Sequence, residues 1–171
     1  MSAIDFISES PTFVSLWDRA NEGVATLSDI PSTDLLYFDS IDISGQKLFD
    51  LIRALLKLKC VKDFATLVLK PDPFDYFHFH FGKYPGFVHG IEHTDDEFFE
   101  ALMMDPGGSP ADCLWANSER YAVLPIPGQW FIYADRQRDM GVLSGPSEIM
   151  EFARSFYPFF LNPAADFKIV G

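Results

Sequence analysis

The residues best suited to chemistry crowd into one short stretch of this 171-residue chain, which holds all four histidines: His78, His80, His89 and His93. A neutral imidazole is a common metal ligand. The sharpest pattern is His89-Gly90-Ile91-Glu92-His93, a His-x-x-Glu-His spacing. On a helix, residues four apart lie on one face, so His89 and His93 would grip one zinc ion. Glu92 would then act as general base on a zinc-bound water. Asp96, Glu97 or Glu100 would complete the ligand set. Two features oppose this arrangement. Gly90 weakens the required helix by about 1 kcal/mol relative to alanine. Thr94 reads as the N-cap of the next helix, which leaves both histidines in a loop. The preferred reading therefore takes no cofactor, with a small zinc-dependent hydrolase using His89, Glu92 and His93 as the alternative and a structural or regulatory domain as a second alternative.

Other catalytic patterns are weaker. There is no Gly-x-Ser-x-Gly nucleophile elbow, and Cys113 has no activating base near it in sequence. Gly107-Gly108-Ser109-Pro110 lacks the Lys-Ser/Thr that a phosphate loop carries. The carboxylates around Glu92, Asp95, Asp96 and Glu100 read as a solvated acidic face rather than a general acid/base pair.

The elements that position these residues follow from punctuation and period. Ser10 caps a first helix running to Ala25, with Phe13, Leu16, Trp17 and Ala20 on its apolar face. Leu35 to Phe38 is a candidate strand. A strongly amphipathic helix spans Gly45 to Cys60, capped by Ser44, with Leu48, Leu51, Ile52, Leu55, Leu56 and Leu58 as its stripe. Lys57, Lys59 and Lys62 gather at its end, where cations complement the helix dipole. Phe64 to Leu69 reads as a strand. Residues 73–82 fit either a helix or a strand. The helix is preferred, because Asp72-Pro73 and Gly82 punctuate its ends and Phe74, Phe77 and Phe81 then share a face. Thr94 and Glu97 form a capping box for a helix ending near Met104. Cys113 to Trp115, Tyr121 to Ile126, Trp130 to Tyr133 and Met140 to Leu143 read as short strands. Ser147 to Leu161 reads as a last helix, and Phe167 to Val170 as an edge strand or a loose tail. The expectation is an α+β fold: an antiparallel sheet of three to four or more strands with several packed helices, in a single domain over 1–171.

Composition bounds the partners. The chain has 25 acidic residues against 13 Lys and Arg, a formal net charge of −12. That field repels phosphate backbones and anionic membranes and favours a basic protein partner. Hydrophobic residues make up 48% of the chain, including 18 Phe, which is ample material for a core. Cys60 and Cys113 suit free buried thiols rather than a disulfide framework, although a bridge between them is left open. The N-terminal residues show no signal-peptide pattern, and no apolar run approaches a membrane span, so a cytoplasmic location is expected.

One string stands out: Gln129-Trp130-Phe131-Ile132-Tyr133-Ala134-Asp135-Arg136-Gln137-Arg138-Asp139-Met140-Gly141-Val142-Leu143. An aromatic strand runs into a charged loop and then an apolar strand. Over these fifteen or so residues the chain resembles the closing hairpin of bacterial immunity proteins that neutralise contact-delivered toxins. That resemblance implies a non-enzymatic, acidic protein-binding domain, an inhibitor of a basic toxin. The expected binding residues are Glu92, Asp95, Asp96 and Glu100, with Tyr133 and Asp135 as a second patch.

Overall fold

The computed structural model describes residues 3–108, 110–163 and 167–169. The antiparallel expectation holds and grows. Among the described residues there is one six-stranded antiparallel sheet. In chain order its strands are β1 (Leu36–Phe38), β2 (Asp63–Lys70), β3 (Gly86–Gly90), β4 (Arg120–Ile126), β5 (Phe131–Asp135) and β6 (Met140–Ser144). They lie side by side as β1-β6-β5-β4-β2-β3. The hairpins β4–β5 and β5–β6 keep a clean register, with Tyr133 opposite Ala122 on one side and Val142 on the other.

Helices cover both faces. Helix α1 (Ser10–Leu27) lays Phe13, Leu16, Ala20, Val24 and Leu27 on one face, against Ala65, Leu67, Ala122, Leu124, Phe131 and Tyr133. These apolar positions recur every three or four residues, which is why the segment folds as a one-sided helix. The opposite face carries Phe38, Phe64, Val68, Phe87, Tyr121, Val123, Ile132 and Leu143. It packs under α2 (Gln46–Leu58), α4 (Asp95–Met103) and α6 (Ser147–Phe156). Double coverage explains why β5 is buried along its whole length instead of alternating in and out. Gly141 is required by close approach, because a Cβ there would sit 2.3 Å from the Phe38 ring that covers it.

Both sheet edges are dressed. At β3, Ile7 donates to the Gly86 carbonyl and Tyr84 donates back to Ile7. At β1, Leu161 pairs with Tyr37. Covered edges resist pairing with other chains.

Several boundaries move. The first residue of α1 is Ser10, with Glu9 in the capping position. Gly45, not Ser44, caps α2, and Ser44 instead donates to the Ile41 carbonyl. The segment Cys113 to Trp115 is not a strand. Cys113 is extended and Leu114–Asn117 is one helical turn, α5, closed by the Asn117 side-chain amide on the Ala111 and Cys113 carbonyls. An apolar run this short suits either structure, and the local side-chain bonds decide it. Helix α6 stops at Phe156 rather than Leu161, because Tyr157 precedes Pro158 and is driven to extended geometry. In the tail, Phe167 and Ile169 pack on the α1 side without forming a strand, and Val170 lies outside the described residues. Strand β3 was absent from the sequence reading.

Candidate functional site

The histidine motif does not form a helix. His89 is the next-to-last residue of β3, and residues 91–93 are a turn in which the His93 amide donates to the Gly90 carbonyl, 3.0 Å. The Gly90 amide donates to His93 Nδ1, 2.9 Å, and His89 Nε2 donates to the Thr94 carbonyl, 3.2 Å. One nitrogen of each ring is thus used by the backbone. His89 is 2% exposed, stacked on Phe64 and edge-on to Phe49 and Phe98. Burial holds its imidazole below the usual value and so favours the neutral form. Among the described residues, no group of three or more His, Cys, Asp or Glu side chains is placed to share a metal ion.

The capping box at α4 is present as expected. The Thr94 hydroxyl accepts from the Glu97 amide, 3.2 Å, and the Glu97 carboxylate accepts from the Thr94 amide, 2.6 Å. The bond from the Thr94 amide, with a smaller contribution from the Thr94 side chain, holds the Glu97 carboxyl below its ordinary pKa. The expected acidic face then divides. Asp95 is tied to Arg53 and to Gln46, 2.8 Å. Glu92, Asp96 and Glu100 project into solvent, and Met103, a further turn along α4 from Asp96 and Glu100, is exposed with them.

The residues of the second expected patch are buried. Tyr133 is 2% exposed and Asp135 is 6% exposed, so neither presents a surface. Tyr133 sits at the centre of the sheet under α1. Asp135 Oδ1 accepts from the Gln137 amide, 3.0 Å, and Oδ2 lies 3.4 Å from Arg120 Nε. The hairpin tip is also tied down: Arg136 lies over the Trp115 ring, 4.1 Å, and bonds the Trp115 carbonyl. The apolar run from Trp130 to Ala134 is continuous rather than alternating, the pattern of a strand covered on both faces.

The surface that sequence reasoning passed over lies in residues 72–82. The helical punctuation there is real: Asp72 accepts from the Phe74 and Asp75 amides, and Gly82 closes the segment at φ +69°. Between them, Pro73–His78 winds as a π-helix that runs into a short turn α3 (Phe79–Phe81). The wider winding breaks the shared face expected for Phe74, Phe77 and Phe81. Phe74 instead packs on Phe13 and Trp17, while Phe77 packs on Phe6 and Phe81. His78 stacks on Tyr84 at 4.4 Å. Pinned from both sides, the turn presents Phe79 at 78% exposure, the most exposed large apolar side chain in the described structure. Tyr76 and His80 flank it; the His80 Nδ1–H donates to the Tyr76 carbonyl, and the Tyr76 hydroxyl lies 3.4 Å from Asp112. In a regular helix Phe79 already lies off the face of Phe74, Phe77 and Phe81, but its exposure is fixed by the π-winding and the packing of its neighbours.

No family model, no curated protein and no solved structure matches the chain. Among the described residues, no helix is long and apolar enough to cross a membrane.

Proposed function

We propose that this protein is a binding module for a basic segment of another protein, docked on the turn at residues 72–82. The observation that carries this reading is Phe79, a large ring turned out to water by a turn whose neighbouring rings are locked into the core. A preorganised aromatic loses little freedom on binding, and such anchors dominate interface energetics. Asp75 and Asp112 are the nearby acids on the same turn and beside Tyr76. The exposed Glu92, Asp96 and Glu100 add to a field that draws in a cationic partner. Inhibition of a basic, nucleic-acid-attacking toxin fits this chemistry, and the β5–β6 hairpin resemblance is consistent with that partner class.

The test is affinity capture from the native host at low ionic strength, run in parallel with wild-type protein and a Phe79→Ser variant. A basic protein, released by added salt and retained at least about tenfold less by the variant, is the expected result. Retention indifferent to both salt and Phe79 would overturn the reading.

A further inference from the structure

A second site lies away from the acidic turn, where the end of α2 meets β3. A cavity of about 490 Å³ opens there, within the range of small-ligand pockets. Its charged lining is entirely cationic, from Arg53, Lys57 and Lys62, although the chain as a whole carries −12. Its apolar wall includes Val61 and Ile91, and His89 lines it as well.

The ordinary explanation for lysines at this place is service to the helix end. The backbone already supplies that service. The Val61 amide donates to the Leu56 carbonyl, 2.9 Å, and the Cys60 amide to the Lys57 carbonyl, 3.2 Å. Cys60 takes the left-handed conformation, φ +55°, that completes such a cap. The Leu55, Leu56 and Lys57 carbonyls are therefore satisfied by backbone amides, without the ammonium groups. The helix end contributes roughly half a negative charge, against a full positive charge on each lysine. Arg53 is committed to Asp95, but among the described residues Lys57 and Lys62 have no ion-pair partner. His89 adds a polar contact of defined sense. Its Nε2 proton is given to the Thr94 carbonyl, so in the neutral ring Nδ1 is a bare acceptor, and no protein donor among the described residues meets it.

We infer that this cavity binds a small organic anion with an apolar body: a carboxylate held by Lys57 and Lys62, the body against Val61 and Ile91, and a hydroxyl donor offered to His89 Nδ1. The requirement for a donor follows from the tautomer, because a second bare anionic oxygen would repel Nδ1.

The probes are 4-hydroxybenzoate, benzoate and phenol, titrated separately at neutral pH and followed by amide and imidazole chemical shifts. 4-Hydroxybenzoate is expected to bind most tightly, with saturable shifts at Val61, His89 and Ile91. Benzoate, which lacks the donor, and phenol, which lacks the charge, should each bind about tenfold more weakly. In the Lys57→Gln/Lys62→Gln variant, both substituted positions being exposed, the two carboxylates should lose about tenfold while phenol is unchanged. Cys60 provides a second readout, being exposed where Cys113 is buried. Iodoacetate should alkylate it faster relative to iodoacetamide in the wild type than in the double variant, and 4-hydroxybenzoate should protect it. Equal affinity for all three probes, shifts that do not saturate, or carboxylate affinity untouched by the double substitution would each overturn the inference.

Discussion

The turn at residues 72–82 and the cavity at the end of α2 are opposites built on one scaffold. The first is convex, aromatic and bordered by acids; the second is concave, apolar-walled and lined by cations. Both occupy places where regular structure ends. The turn depends on a π-wound segment pinned by Phe74 and Phe77, and the cavity on a helix terminus closed by backbone amides on the Leu55, Leu56 and Lys57 carbonyls. The difference teaches that a net charge of −12 describes the average surface and not any one site. Partners of opposite sign can be served by one acidic chain when the fold segregates its few cations.

The largest test of this contrast lies beneath both β3 and α4. Phe49 stacks on Phe98 at 4.5 Å and meets His89 at 5.4 Å. Phe49→Ala should cost about 3–5 kcal/mol in urea unfolding, as a buried ring lost to a cavity does. It should also abolish the cavity's probe shifts before it perturbs the turn around Phe79. A protein in which both regions fail together would show that the two are not separable.

Phe79→Ser should behave in the reverse way. Its unfolding free energy should change by less than about 0.5 kcal/mol, because an exposed side chain has little packing to lose, while partner binding falls by about 2 kcal/mol or more. A destabilisation as large as the binding loss would make Phe79 a structural residue and dissolve the contrast.

Thr94→Ala should cost about 1 kcal/mol in thermal or urea unfolding by removing the N-cap of α4. Since His89 bonds the Thr94 carbonyl, the same variant should shift the His89 imidazole resonances and leave those of His78 unchanged. Loss without a His89 shift would uncouple the cap from the cavity.

The smallest effect is one of pH. Burial lowers the His89 pKa in the fold, so below the unfolded value of about 6.5 the unfolded chain binds a proton that the folded chain resists. Stability should therefore be highest above that value and decline as pH falls through it towards the lower folded pKa. In a His89→Phe variant this part of the decline should flatten. An unchanged profile would place the acid sensitivity on other groups.

Much of the scaffold was legible in advance. The amphipathic periods of α1 and α2, the Thr94–Glu97 box and the two hairpins β4–β5–β6 depend on contacts between residues close in sequence. Strand β3 was not legible, because Gly86–Gly90 has no alternation of its own and is a strand only by pairing with β2. The same pairing replaced the helix that the His-x-x-Glu-His spacing invited.

What the residue order determined by itself was local: which segments prefer a helix and where caps and turns fall, together with a net negative charge. What the tertiary structure alone decided was exposure. The aromatic strand holding Tyr133 became the middle of a doubly covered sheet, and Phe79, one of eighteen phenylalanines, was left in water. Propensity and capping act over one to four residues along the chain. Burial is fixed by which distant surfaces meet, and no spacing within a segment encodes what will be packed on it.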